Sequence, residues 1–396
     1  MRIRLRNATR ASQLALLCCQ TVSCAPSATA GAPVPEITSA IDTVAVVISD
    51  EHFKIGDIAL LSNCSLVAIG AQWGTVVIID STGISKKLRL SALEEGSALS
   101  VGAGSGATAI ISALDPPTSV LFSATSSTER ALRAPDGLWG TNAVGAADLF
   151  EDSVLVMAPF GPSTPVRQLP DSSVNAPSMV LLNLLSGSVT PVGTMPRIAG
   201  RYLPALRARR VVSLKRDTLR SLRLVDAVLE VFTRDAKNRW TLAQSVQLPK
   251  YVEASPAAEI AVAMPWISEG GPVRLTYLGG TLSAAFDPSG SSLLALRPYT
   301  ARWRRGRDDF TWVRGRWETA SFGLEQYDGT GRLIAVFDVS PTTVQVKGAP
   351  RGHLLLREMS GRTVIGRIGR NEAPCNLPRE IRLSIVDEEP KPSDTR

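Results

Sequence analysis

Six arginines and three tryptophans crowd into residues 301–317: Arg302, Trp303, Arg304, Arg305, Arg307, Trp312, Arg314, Arg316 and Trp317. Guanidiniums neutralise anionic groups, and indoles offer flat faces for stacking. This is the composition of a surface for a polyanion, a glycan or an envelope polymer. Asp308, Asp309 and Glu318 interrupt the positive charge. Phe310, Trp312 and Arg314 share one parity of an extended chain, while Thr311, Val313 and Gly315 take the other. The same residues therefore also suit a hairpin at the rim of a sheet, with guanidiniums stacked on indoles. Both readings stand on the sequence alone.

Other residues capable of chemistry are sparse. His52 and His353 are the only histidines. Two cannot make a three-histidine zinc site, and no G-x-S-x-G accompanies them to supply an activated serine. They read as ordinary loop or strand residues. The run GAGSGA at 102–107 matches G-x-G-x-x-A, but Pro116 follows within nine residues of Ala107. A dinucleotide site needs a helix there to face the pyrophosphate, so the run reads as an interblade loop and no cofactor is expected.

The cysteines divide by position. Cys18, Cys19 and Cys24 lie in the first 24 residues; Cys64 and Cys375 lie in the body of the chain. In an oxidising compartment that last pair either forms a disulfide or stays as two thiols. There is no C-x-x-C, which argues against a zinc ribbon or a thioredoxin-type site.

Compartment follows from the N-terminus. MRIRLRNATR carries four arginines and no acid, ASQLALLCCQTVS is apolar, and Ala28-Thr29-Ala30 offers a small-x-small cleavage site. Export is expected, with the periplasm or cell surface as destination. A lipoprotein cut before Cys24 is the second option, weakened by Thr21 three positions upstream. Removing Arg2, Arg4, Arg6 and Arg10 lowers the formal charge from +7 to +3. The mature chain is only mildly basic, and with export this disfavours nucleic acid as a partner. No apolar run reaches the length of a membrane-spanning helix, about 20 residues.

These residues need a scaffold, and the sequence reads as strands and turns. Hydrophobic residues are 44% and charged residues 20%, which supports a packed core. Turn chemistry recurs at Ser81–Gly83, Ser186-Gly187, Asp235–Asn238, Pro288–Gly290 and Asp328–Gly331. The gaps suggest a diverged unit of roughly 40–55 residues, the size of a four-stranded propeller blade, with a weaker unit at 96–148. Residues 201–232 carry Leu203, Leu206, Val211, Leu214, Leu219 and Leu222 at partly helical spacing. They read as an interblade connection plus strand, with a short helix as the alternative.

The hairpins in LVAIGAQWGTVVIIDSTGISKKL and LEQYDGTGRLIAVFDV resemble those of NHL-type and TolB-type six-bladed propellers exported by bacteria. The resemblance covers about four blades and fits 96–148 and 345–396 poorly. It implies an all-β propeller of four-stranded antiparallel blades, six favoured over seven, and no single activity. Some such propellers are metal-dependent lactonases or related hydrolases that hold a divalent cation on Glu, Asn and Asp. Glu51, Asp80, Asn142, Asp148 and Asn183 are the candidates here, and nothing in their spacing selects among them. Asp80 and Asp338 read better as strand ends.

The expected organisation is a signal at 1–30, a linker at 31–40, the propeller at 41–385 and a tail at 386–396. The expected function is non-enzymatic: a binding or scaffold protein at the cell envelope, with a protein or an envelope polymer or glycan as partner. The alternative is a metal-dependent hydrolase of the lactonase kind.

Overall fold

The computed structural model describes residues 33–49, 55–70, 75–80, 85–91, 98–104, 106–114, 117–132, 147–150, 154–157, 178–193, 210–224, 227–249, 251, 259–262, 273–276, 281, 283–287, 290–300, 303–304, 316–317, 321–358, 360–368 and 373–383. Strand β1 (Asp42–Ser49) belongs to the last sheet. The first sheet is β2 (Ile55–Leu60), β3 (Leu66–Gly70), β4 (Thr75–Ile79) and β5 (Ser85–Arg89). The second is β6 (Ala98–Ala103), β7 (Thr108–Leu114), β8 (Pro117–Ser123) and β9 (Thr128–Leu132). The third is β10 (Ala147–Phe150), β11 (Val154–Met157), β12 (Met179–Asn183) and β13 (Val189–Val192). The fourth is β14 (Arg210–Lys215), β15 (Thr218–Arg223), β16 (Val228–Arg234) and β17 (Trp240–Gln247).

A two-stranded pair, β18 (Glu259–Val262) with β19 (Val273–Thr276), precedes the fifth sheet. That sheet is β20 (Ser283–Phe286), β21 (Ser292–Thr300), β24 (Ser321–Asp328) and β25 (Leu333–Phe337). A second pair, β22 (Trp303–Arg304) with β23 (Arg316–Trp317), interrupts it. The closing sheet orders β26 (Thr343–Gly348), β27 (His353–Glu358) and β28 (Thr363–Arg367), then β1, then β29 (Glu380–Leu383). Among the described residues there are thus five four-stranded antiparallel sheets and one five-stranded sheet that draws on both ends of the chain. β1 is antiparallel to β28 and parallel to β29.

The sheets form a propeller because each is buried on both faces. In β3, Leu66 and Ala68 pack toward the closing sheet, whereas Val67 and Ile69 pack toward the second sheet. Side chains alternate along a strand, so both parities must be apolar, and the sequence reads as an unbroken apolar run. In β21, Leu293 and Ala295 face the fourth sheet, and Leu294 and Leu296 face the closing sheet. Outer strands lose this cover: β17 is exposed along most of its length. At the inner end, a Cβ on Gly348 of β26 would lie 2.3 Å from the carbonyl oxygen of Phe286, so glycine sets how closely β26 can follow β20.

Three contacts close the ring between the last sheet and the first. The Lys347 ammonium bonds to the Asp57 carboxylate, and also to the carbonyls of Ile58 (3.4 Å) and Val101 (2.8 Å). The same Asp57 carboxylate accepts the Val101 N–H at 2.9 Å. Arg357 donates to the carbonyls of Gly56 and Ile55. Cys64 and Cys375 form a disulfide, with Cα atoms 5.4 Å apart. Ahead of β1, Thr38 and Ser39 both donate backbone N–H groups to the Val336 carbonyl, so the expected linker already holds the edge of β25.

Strand direction makes the two faces of the ring unequal. Connections between first and second, and between third and fourth, strands open on one face. They include 61–65, 104–107, 216–217, 235–239 and 349–352, and none exceeds five residues. Connections from second to third strands, and from each sheet to the next, open on the other face. There lie 133–146, 158–178, 193–209, 248–282 and 301–320. The first is called here the turn face and the second the insertion face.

Several expectations change. GAGSGA is not an interblade loop: Gly102 and Ala103 end β6, and a turn leads straight into β7. The partly helical spacing at 201–232 belongs to β14, β15 and β16 within the described residues, because both faces of these strands also carry apolar side chains. The turns at 288–290 and 328–331 lie in one sheet, not in successive units. The fifth sheet is stretched by its insertion, which imitates a repeat spacing.

Candidate binding site at the fourth and fifth sheets

The site is built where β21 and β24 approach the insertion face. By parity with Leu293 and Ala295, Arg297 points toward the fourth sheet. Across the ladder Arg297 stands opposite Gly323, Ala295 opposite Glu325, and Leu293 opposite Tyr327. The ladder is irregular between Pro298 and Thr300, so Tyr299 is an extra residue in β21. Such a bulge re-aims a side chain. Here the ring of Tyr299 lies over Gly323, where an added Cβ would fall 2.1 Å from the hydroxyl oxygen.

The connection from the fourth sheet completes the cluster. Arg297 Nη1 donates to Thr281 Oγ1 at 2.7 Å, and Nη2 donates to the Pro249 carbonyl. Arg297 Nε stands 3.8 Å from Glu325 Oε2, an ion pair without a hydrogen bond. Tyr327 donates its hydroxyl to the same Oε2. Tyr251 meets Tyr299 edge to face with centroids 5.1 Å apart, and the Arg297 guanidinium lies 5.8 Å from the Tyr251 ring. Arg297, Glu325 and Tyr327 are fully buried, Tyr299 nearly so, and Tyr251 half-buried.

Burial dominates the electrostatics. It raises the Glu325 carboxyl above the usual carboxylate range, while the Tyr327 hydroxyl and the Arg297 charge oppose the rise. The hydroxyls of Tyr251 and Tyr299 also face the carboxylate and oppose it. Tyr299 nevertheless meets no group in hydrogen-bond geometry. All three phenols are pushed up by burial first and by Glu325 second, so they stay protonated donors.

The residues singled out from sequence are dispersed. Trp303 pairs with Trp317 and Arg304 with Arg316 in the β22–β23 ladder, within the connection from β21 to β24. Arg302, Arg305, Arg307, Trp312 and Arg314 lie outside the described residues, as do Cys24, His52, Glu51 and Asn142. Of the metal candidates, Asp80 follows β4 and Asp148 sits in β10. Asn183 ends β12, and its Oδ1 accepts the N–H groups of Leu185 and Ser186 at 2.9 Å, which makes it a turn former. Among the described residues, no three His, Cys, Asp or Glu side chains converge as a metal-ligand group. His353 is buried at the start of β27, with Nδ1 2.8 Å from the Pro350 carbonyl. Sequence reading missed the Arg297–Glu325 cluster. The available signal was its tyrosines, since three of the chain's five gather there.

No protein-family model and no curated protein matches the sequence. Solved propellers do resemble the structure. The β-propeller domain of Cps50 (Swd1) from Myceliophteria thermophila is 14% identical, with a TM-score of 0.43 over 83% of this chain and all of that one. A chain of the mitotic checkpoint complex is 11% identical, with a TM-score of 0.43 over 85% of this chain and 96% of that one. Among the described residues, no helix is long and apolar enough to cross a membrane.

Proposed function

We propose that this chain is an exported, non-enzymatic binding or scaffold propeller of the cell envelope, and that its insertion face takes an anionic envelope polymer or glycan. The observation that carries the reading is the inequality of the two faces. Strand direction puts the five connections of fourteen residues or more on one side of the ring, and the arginine- and tryptophan-rich β22–β23 pair lies within one of them. Loops held by a rigid scaffold are where binding residues concentrate. The N-terminal signal and the resemblance of the hairpins to NHL-type and TolB-type propellers support export.

Retention on immobilised heparin, a model anionic glycan, tests the reading. The mature protein should be retained, with retention falling steeply as salt rises. The Arg304→Ser/Arg305→Ser variant should elute early. Equal retention of the variant, or metal-dependent hydrolysis of a lactone by the wild type, would overturn it. Protein from the native host should begin at Gly31 or at an acylated Cys24; an intact Met1 would remove the export element.

A further inference from the structure

Among the described residues, the six larger sheets end on the outer strands β5, β9, β13, β17, β25 and β29. An open strand edge is a template for another chain, and proteins blunt it with charge, proline or cover. β5 carries Lys86, Lys87 and Arg89, β9 carries Glu129 and Arg130, and β29 carries Glu380 and Arg382. β13 holds Pro191. β25 is covered by Thr38 and Ser39, whose N–H groups bond to the Val336 carbonyl. β17 has none of these devices. Its sequence WTLAQSVQ contains no charge and no proline, and its eight residues make it the longest of the six. Six of the eight are exposed, Leu242 to 53%.

The edge also has a phase. Residues of an antiparallel ladder alternate between bonding one neighbour and turning away from it. The Leu248 N–H bonds to the Ala227 carbonyl and the Asp235 N–H to the Arg239 carbonyl, which fixes the alternation from both ends of β17. By that alternation Thr241, Gln244 and Val246 bond to β16, while Trp240, Leu242 and Ser245 turn their N–H and C=O groups away from it. The register slips between Val231 and Phe232, so Ala243 is an extra residue and the outward groups change parity there. A regular foreign strand keeps a period of two and matches this edge on one side of the bulge only. A second copy carries the same break. Run antiparallel, with the twofold axis between Ala243 and Gln244, it sets Leu242 opposite Ser245 of the second copy and Ser245 opposite Leu242 of the second copy. Outward groups on both sides of the bulge then meet partners.

We propose that β17 is a self-association edge, where two copies of this chain pair antiparallel about Ala243 and Gln244 and join two four-stranded sheets into one. The strand is already fixed for the purpose. Trp240 packs on the apolar cluster shared with the third sheet, and Val246 on the cluster shared with the fifth. Gln244 Nε2 donates to the Thr330 carbonyl at 3.4 Å. Pairing therefore orders little new chain, which lowers its entropic cost. An uncharged strand also places no like charges opposite each other when it meets its own copy. The contact is twofold and closed, so assembly stops at a dimer. The two rings lie edge to edge with their faces opposed, and each side of the dimer shows one insertion face. A single pair of eight-residue strands makes a small interface, so the dimer forms with concentration rather than being obligate.

Sedimentation velocity of the whole mature chain, from about 1 µM to about 1 mM, tests it across the range of weak association. The mass should double as concentration rises. Ser245→Pro removes an N–H that β16 does not use, so it should keep the wild-type thermal midpoint in dilute solution and remain monomeric throughout. Leu242→Lys, at an exposed position, should do the same. Cysteine cross-linking reads the register. A mixture of Leu242→Cys and Ser245→Cys proteins should form more disulfide-linked dimer than either variant alone, because the two positions face each other across the axis. A wild type that stays monomeric at every concentration overturns the proposal. So does a dimer that survives both Ser245→Pro and Leu242→Lys, or cross-linking no greater in the mixture. Uptake of a regular alternating Thr-Val peptide by a monomeric wild type, abolished by Ser245→Pro, would give the edge to a foreign strand and overturn it as well. Arg304→Ser/Arg305→Ser should dimerise as the wild type does, so this proposal and the heparin reading fail separately.

Discussion

Cys64 and Cys375 are 311 positions apart in sequence, and their Cα atoms lie 5.4 Å apart. Cys64 sits in the turn between β2 and β3, and Cys375 in the segment that leads into β29, so the bond lies on the turn face, away from the candidate site. Both belong to the apolar cluster between the closing sheet and the first sheet. A bond across so long a loop restricts the unfolded chain, on the order of 5 kcal/mol by chain entropy, as an upper bound. Cys375→Ala should therefore lower the urea midpoint strongly, and reducing agent should lower the wild-type midpoint and leave the variant unmoved. Equal midpoints with and without reductant would show that strand pairing alone closes the ring.

Lys347 and Asp57 tie the same seam nearer the axis. The Asp57 side chain is almost fully buried, and Lys347 and the Val101 N–H are its partners there. Lys347→Met would leave a buried carboxylate with one backbone donor, which costs about 3 kcal/mol. Asp57→Asn/Lys347→Met should recover part of that loss, because the uncompensated charge is gone. A double-mutant cycle in urea reads the coupling, and additive losses would mean that the pair is not coupled.

The propeller was legible because propeller strands are buried on both faces. Leu66–Gly70 and Thr75–Ile79 read as apolar runs punctuated by turn residues, and nothing in that pattern competes. Unit spacing was less legible, since the insertion at 301–320 put two turns of one sheet at the distance expected of two sheets. The cysteine pairing was undecidable, because Cα separation depends on closure of the whole ring. The Arg297–Glu325 cluster was invisible for a related reason. Its members come from β21, β24 and the connection ahead of β20, and each alone looks like an ordinary strand residue. The segment 301–317 stood out by composition, a local property.

Glu325 sets a pH dependence whose sign follows from its environment. Burial raises its folded-state pKa above the usual carboxylate range. The folded protein then holds the proton more tightly than the unfolded chain. That contribution is complete below the ordinary carboxylate value and is lost as pH rises through the raised one. Asp235 and Asp328 are shifted the other way, first by the Arg239 backbone N–H and by the Thr330 hydroxyl respectively, so their contribution fades toward acid. The difference in midpoint between wild type and Glu325→Gln isolates the buried group. Wild type should lose ground to the variant as pH rises from about 4.5, the ordinary value. A difference that stays flat from there to neutral pH would show that Glu325 is ionised throughout.

Gly323 is the position where a single methyl group tests the packing of the cluster. It stands opposite Arg297 in the ladder, and the Tyr299 ring lies against its Cα. An added Cβ would approach the Tyr299 hydroxyl oxygen to 2.1 Å and two ring carbons to 2.4 Å, far inside contact distance. The ring cannot turn away freely, because Tyr251 stands edge-on to it at 5.1 Å. Overpacking of this kind costs about 1–3 kcal/mol. Gly323→Ala should therefore be destabilised by that amount. Adding Tyr299→Ala should relieve much of the penalty, because the clashing ring is gone, even though that truncation leaves a cavity of its own. A thermal-melt comparison of the two single variants and the double decides it. If Gly323→Ala melts with the wild type, the Tyr299 ring does not lie over the strand, and the construction of the site from the bulge fails with it.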